Sequence, residues 1–280
     1  MRLAYGTYAI PTMTLEQVVK PLADIGYAGI EVCVSDRHAG ASLQEMTPER
    51  CAVCRQLLAD HGLSIPAVFL LGQIYTPDAA VHMKTLEQVR RCGELARDLG
   101  ASEPPVVAIG FGGRSADWEG IRGRLAEQLA DYSALAEEEG IVIAGEAHCH
   151  AAVDRSERVV WLLEEVAHPR IRLHFDIVHF WLAGENITET VQRLLLYTAH
   201  THVTDARRNN DGSFELTLLG EGQLNLAEYV AAMHRGGWRD LITVEVSTMV
   251  WSKPDYDPIE AAKHNFAALA RAFAEAEVDG

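Results

Sequence analysis

The chain has 280 residues, 48% of them hydrophobic, with a formal net charge of -16 at pH 7. This is enough for one large core, and α/β barrels of this size are commonly one domain. The acidic balance repels phosphate backbones and anionic lipid, so no nucleic acid and no membrane partner is expected, although a metal in a cleft reverses the sign locally.

The opening segment, MRLAYGTYAI, has one early Arg but neither a long apolar run nor a small-residue cleavage site. No later stretch reaches the roughly 18–20 apolar residues of a membrane span. A cytoplasmic location is therefore expected. Strand-like runs follow at Leu3–Tyr8, Gly29–Val34, Ser64–Leu70, Pro105–Gly110, Ile141–Ala147, Ile171–Ile177, Ala199–Thr204 and Ile242–Ser247. Several are almost continuously apolar, as strands covered on both faces must be.

Helix-like stretches alternate with them. Thr14–Ile25 ends at Gly26, and Thr47–His61 opens with Pro in its first turn and ends at Gly62. Asp78–Leu99 and Ser115–Glu139 each stop at a Gly, and Ser156–Ala167 stops before His168-Pro169. Ile187–Tyr197, Leu226–Arg235 and Pro258–Glu275 complete the series. Strict alternation of eight strands and eight helices predicts a (β/α)₈ TIM barrel, one domain over 1–280. An open doubly wound sheet usually has fewer strands and a Gly-rich first turn; here that turn is YGTYAIPT.

The five Cys are odd in number and scattered, which fits a reducing compartment. Cys51-x-x-Cys54 has no second pair to complete a zinc site and reads as two ordinary helix residues. The segment Asp205–Gly222 lengthens the step from His202 to Glu245 to 43 residues, against 30 and 26 for the two preceding ligand steps. Its NNDGS reads as a turn, so an excursion over the barrel mouth is expected.

Four consecutive strand-like runs each end in one ligand-type side chain: Glu146, Asp176, His202 and Glu245. Strand ends of a closed barrel converge on one mouth, so these four would surround one divalent ion. Isolated carboxylates inside a barrel are costly, and a cation removes that cost. Three carboxylates and an imidazole suit Mn²⁺, Mg²⁺, Co²⁺ or Zn²⁺, and the set does not choose among them. By strand alternation, Ala144, Glu146 and His148 share a face, as do His174 with Asp176, and His200 with His202 and Thr204. His174 and His200 would then lie one layer deeper and orient the ligands.

The motifs YAGIEV, GEAH, HFDIVHFW with the following AGE, HTHVTDA, LGEGQLNL and VEVS together give the chain a likeness over essentially its whole length. It resembles the xylose-isomerase-like TIM barrels grouped as sugar phosphate isomerases/epimerases. The resemblance implies that Glu146, Asp176, His202 and Glu245 match the family's metal ligands. It also implies that Glu146 and Glu245 match the catalytic acid/base pair of its ketose epimerases. His179 and Arg208 match substrate-contacting positions. Two departures bear on the sugar: Ala152 stands where those epimerases have an acidic contact, and Thr204-Asp205 stands where many members have Lys-Asp. The resemblance also allows a homo-oligomer.

Other residues are weighed individually. His148 can touch substrate or protonate a leaving hydroxyl, and His150 reads as an ordinary loop residue. Glu31 can bond a deeper histidine or a sugar hydroxyl, and is grouped with the substrate-binding set. Trp118, Trp181 and Trp251 lie just past strand ends, where core packing or a subunit contact is the simpler role than stacking on a sugar. Gly110-Phe111-Gly112-Gly113 could hold a phosphate but reads first as a loop needing positive φ. Arg207 beside Arg208 reads as an anion contact or a solvated pair.

The expected activity is a divalent-metal-dependent isomerase or epimerase acting on a small-molecule sugar, keto-sugar or polyol-derived ketone. It would abstract a proton beside a carbonyl through an enediolate. The alternative is a metal-dependent dehydratase (lyase) of an inosose- or dehydroshikimate-like substrate, which shares the first step. A phosphodiester-cleaving DNA repair enzyme on the same barrel is disfavoured by the acidic charge and the single compact ligand set. A non-catalytic sugar-binding barrel is disfavoured by the paired acids.

Overall fold

Strands that are apolar on both faces need cover on both, and this sheet obtains it by closing on itself. The computed structural model describes residues 1–278. Its eight barrel strands are β1 (Arg2–Gly6), β2 (Gly29–Val34), β3 (Val68–Gln73), β4 (Val106–Gly110), β5 (Val142–Glu146), β6 (Ile171–Asp176), β7 (Thr198–Val203) and, late in the chain, β10 (Leu241–Val244). All neighbours pair in parallel, and β10 closes the ring between β7 and β1. The fold is the expected (β/α)₈ barrel in a single domain.

The outer ring is α1 (Leu15–Ile25), α2 (Pro48–Asp60), α3 (Ala79–Asp98), α4 (Trp118–Glu139), α5 (Ser156–Val166), α7 (Ile187–Leu194), α8 (Leu226–Arg235) and α10 (Pro258–Glu275). The boundaries follow from capping. The Thr47 side chain accepts the Arg50 N–H ahead of Pro48, and Asp78 accepts from Ala80 and Val81. Gly26, at φ 116°, terminates α1. Cys51 and Cys54 are buried on α2, and no cluster of metal-ligating side chains among the described residues includes them.

Several elements differ from expectation. β1 stops at Gly6 and passes into a 3₁₀ turn at Thr7–Ala9. β3 starts late, because Pro66 has no N–H to give the ladder; Ser64 makes only an isolated bridge to Gly29. Asp176 caps the short helix α6 (Ile177–Leu182) by accepting the Val178 N–H, so Ile177, expected as the last strand residue, opens a helix instead. Another short helix, α9 (Thr248–Trp251), is capped by Ser247, and Glu245 therefore lies just past the end of β10. The expected excursion is an antiparallel hairpin, β8 (Asp205–Arg208) and β9 (Phe214–Thr217).

Alternation along the strands builds two separate cores. In β6, Leu173 and Phe175 join the large layer between barrel and helices, while His174 and Asp176 point into the barrel. The barrel interior is itself divided. Cys33, Ala67, Phe69 and Ala108 form a small apolar cluster on the β2–β4 side. The buried polar side chains Glu31, His174, His200, His202 and Thr243 fill the rest.

Candidate metal centre and active site

β5, β6, β7 and β10 are consecutive neighbours in the barrel. Their C-terminal ends bring Glu146, Asp176, His202 and Glu245 together, with one potential ligand atom from each lying within 4.8 Å of all the others. His202 Nδ1 is 3.7 Å from Glu146 Oε1 and 3.5 Å from Glu245 Oε2. It is buried and has no hydrogen-bond partner. Three carboxylates around an unpartnered imidazole nitrogen is a donor set that fits a divalent cation.

The other nitrogen of His202 explains why Nδ1 is free to face this site. His202 Nε2 lies 2.8 Å from Glu31 Oε2, and His200 Nε2 lies 2.6 Å from the same oxygen. A carboxylate accepts only, so both Nε2 atoms carry the hydrogen, and the lone pair of a neutral His202 is at Nδ1. Of the two roles open to Glu31, the structure forms the bond to deeper histidines; the side chain is fully buried beneath the ligand layer. Gly6 makes room for it, since a Cβ there would stand 2.9 Å from Glu31 Oε1.

Glu31, His174, His200 and His202 also lie close enough to hold an ion. The 2.6 and 2.8 Å contacts are hydrogen-bond distances, so Glu31 is already committed to both imidazoles. The upper set, with its free Nδ1, is the better fit.

The electrostatics describe a site short of positive charge. Burial works against the Glu31 carboxylate, but His202 and His200 outweigh it and hold its pKa down at about 2. Asp176 is pushed up to about 7, by burial first and then by the Glu245 charge. Glu146 is also raised, mainly by burial. Burial opposes charging of His202, yet Glu31 and Glu245 reverse the balance and raise its pKa well above the usual value. Protons thus accumulate where a cation would sit. His174, by contrast, is driven well below its usual value by burial and has no partner on either nitrogen; it packs edge-on against His202, ring centroids 4.0 Å apart.

Around this centre, His179 Nε2 lies 4.0 Å from Asp176 Oδ2, and its ring packs on His148 at 3.9 Å. Arg208 reaches the mouth on the hairpin and lies 3.9 Å over the Trp181 ring. The base of that hairpin is clamped by buried Asp205, whose carboxylate accepts the N–H groups of Ala206, Gly220, Gly222 and Leu224. His150 is exposed and stacks on Phe214. Ala152 is fully buried and offers no polar group.

Trp118 packs away from the mouth against Trp161, and Trp251 packs on Tyr8 and His38. Gly112 and Gly113 both have positive φ, and a Cβ at Gly113 would stand 2.6 Å from Ile121 Cδ1, so the loop needs glycine for its own path.

Two participants were not singled out from the sequence. The Thr204 hydroxyl donates to Asp176 Oδ2 at 3.0 Å and stands 3.4 Å from Glu245 Oε2. Its shared face with His202 was the available signal. Tyr8 stands at the mouth between Phe69, His38 and Trp251. Beyond an aromatic after strand one, nothing in the sequence marks it.

The sequence profile of the xylose isomerase-like TIM barrel family matches residues 19–272. The chain belongs to that family. It is 22% identical over 267 residues to fructoselysine 3-epimerase of Escherichia coli O157:H7, covering 91% of this chain and 93% of the relative. Among solved structures, a probable 3-DHS dehydratase from Bacillus anthracis superposes with a TM-score of 0.78 at 18% identity, covering 96% of this chain and 99% of that one. D-psicose 3-epimerase, solved in the presence of D-fructose, gives 0.77 at 13% identity, covering 99% of both chains. The IOLI protein, solved with a bound zinc atom, gives 0.75 at 18% identity, covering 99% and 98%. At these identities the structural likeness speaks to the fold. No described helix is long and apolar enough to cross a membrane.

Proposed function

We propose that the protein is a divalent-metal-dependent epimerase or isomerase of a ketose or a polyol-derived ketone, with Glu146 and Glu245 as its acid/base pair. The observation that carries this reading is the arrangement of the two glutamates. They come from the outer members of four adjacent strands, with Asp176 and His202 between them. Both face the same imidazole nitrogen, at 3.7 and 3.5 Å. A substrate seated over that nitrogen would present one face to each carboxylate.

Glu146, Asp176, His202 and Glu245 would hold the cation. When bound, it would supply Lewis-acid polarisation of a carbonyl and offset the negative charge of an enediolate. Glu146 takes the proton from the carbon beside the carbonyl on one face. Glu245 delivers a proton to the same carbon from the other face, which inverts it. Delivery to the neighbouring carbon instead gives aldose–ketose isomerisation. Thr204 steadies Asp176 and Glu245, while His148, His179 and Arg208 contact the substrate from the β5, β6 and hairpin sides. The similarity to sugar epimerases over more than nine-tenths of the chain supports the substrate class.

Dehydration is the second reading. It is favoured by His148 and His179, packed ring to ring beside Asp176. Such a pair can relay a proton to a departing β-hydroxyl. Product mass separates the two readings: unchanged for epimerisation, lower by one water for dehydration.

The test is solvent-deuterium exchange into a panel of keto-sugars and inososes, with Glu146→Gln and Glu245→Gln. Each variant should lose turnover by about 10³-fold or more, and at least one should retain metal. Near wild-type turnover in either variant overturns the acid/base assignment.

A further inference from the structure

Proton transfer beside a carbonyl engages only a few substrate atoms. What lies next to the mouth decides how far the rest of the molecule extends. A cavity of about 660 Å³ opens at the ends of β1, β2 and β3. It has the size of a ligand-binding cleft for a small molecule. Tyr8, Val34 and Leu70 line it, and the Tyr8 ring packs on Phe69, which lies edge-on to the proposed ligand His202. Burial first, then the charges of Glu245 and, more weakly, Glu146, push the Tyr8 phenol up. The same side chain thus borders the cavity and stands one aromatic ring away from His202.

The polar lining runs against the character of the chain. Acidic residues outnumber basic ones 40 to 24 overall, yet this cavity is bordered by Arg37, Lys84 and Arg91 against Asp36 and Glu87. Glu87 faces Arg90, outside the lining, at 3.7 Å. Arg91 is tied to the Leu43 carbonyl at 2.8 Å. Among the described residues, the Arg37 guanidinium and the Lys84 ammonium have no hydrogen bond or ion pair. Two unengaged cations therefore border a cleft whose Tyr8 wall is one aromatic ring from His202, with only Asp36 unopposed among its acids.

We propose that this cavity is the outer half of the active site. It receives the far end of an extended ketose derivative, whose anionic group, a carboxylate or a phosphate, is held by Arg37 and Lys84. This rests on the epimerase/isomerase reading above. A planar guanidinium and a flexible ammonium suit either anion. Val34, Leu70 and the Tyr8 ring contribute the apolar wall along which the carbon chain lies.

The test uses the full-length protein with D-fructose, D-fructuronate and D-fructose 6-phosphate as probes: neutral, carboxylate and phosphate. Solvent-deuterium exchange gives kcat/KM for each, and calorimetry gives affinity independently of turnover. The wild type should favour at least one anionic probe over D-fructose by tenfold or more. Which one it favours names the anion. In the R37Q/K84Q double variant the anionic-to-neutral ratio should fall about tenfold or more, chiefly through KM. Raised salt should lower the wild-type ratio and leave the variant's flat.

An equal or higher wild-type preference for D-fructose, or a ratio unmoved in the double variant, overturns the proposal. Absence of exchange with every probe would count against the epimerase/isomerase reading. In that event, anion binding that depends on Arg37 and Lys84 would keep the subsite, and anion binding that does not would remove it.

Discussion

Replacing Glu31 by Gln tests how the proposed metal centre is oriented without replacing any of its four proposed ligands. The Glu31 carboxylate is fully buried and accepts hydrogen bonds from two imidazoles at 2.6 and 2.8 Å. Gln keeps the shape and one acceptor oxygen but removes the charge. Its amide can also turn an N–H toward His202 Nε2, favouring the tautomer whose lone pair faces away from the carboxylates. Hydrogen bonds to charged groups contribute about 1.5–3 kcal/mol each, and the amide retains part of that. Groups that orient metal-ligating histidines typically change affinity 10–100-fold when altered, or about 1.4–2.7 kcal/mol.

Metal affinity of E31Q should fall by that factor, measured by chelator competition on protein shown to be folded by circular dichroism. G6A should shift it in the same direction, because its Cβ would press on Glu31 Oε1 from 2.9 Å. An unchanged affinity in E31Q refutes the orientation argument. Complete loss of binding refutes the choice of ligand set, since it would place the ion in the lower group of Glu31, His174, His200 and His202.

Metal loading should also change the pH dependence of stability. The Asp176 carboxyl is raised to about 7, against about 4 in an unfolded chain, and His202 is raised as well. A raised carboxyl and a raised imidazole both make the folded state bind the extra protons, so the metal-free protein loses stability as pH climbs from about 4 to 7. Three pKa units set an upper bound of about 4 kcal/mol for Asp176. A cation replaces those protons, so the Tm gain on adding metal should widen between pH 5 and 7; a gain constant across that range contradicts the account. In Asp205→Ala, four backbone N–H groups lose a shared acceptor. Hydrogen exchange across 205–224 should accelerate and stability should drop by about 2–4 kcal/mol, with KM rising more than kcat falls; unchanged exchange there would show that the hairpin holds itself.

The barrel was legible because its signals are repetitive. Apolar runs of strand length alternate with capped helices, and closure follows once all the strands are parallel and buried. The gathering of Glu146, Asp176, His202 and Glu245 at one mouth was legible for the same reason, since a polar side chain ending an apolar strand stands out. Contacts between distant units left weaker traces. Glu31 is 169 residues from His200, and its bond to His200 depends on Gly6 in a third strand leaving space. Alternation told that Thr204 shares a face with His202, but not that it bonds Asp176, 28 residues away. The end of β6 was placed one residue late, at Ile177, because Asp176 also caps a helix and the apolar stretch after it suits either a strand or a buried helix.

The division of the barrel interior links these contacts to chemistry. One side is closed by Phe69, Cys33 and Ala108, with Tyr8 above them; the other carries the histidines and acids. Phe69 lies edge-on to both His174 and His202, at 5.8 and 5.6 Å. This apolar wall covers the His202 ring, whose Nε2 hydrogen goes to Glu31. The wall also raises the electrostatic cost of the three carboxylates above it, because charge in a poorly solvated site is weakly screened. On the proposed function, a cation would offset that cost, and the same poor screening would then strengthen its hold on an enediolate. Replacing Phe69 with a small polar residue would admit water to both arrangements at once. Metal affinity and proton-transfer rate should then fall together, although Phe69 itself would be neither a ligand nor an acid.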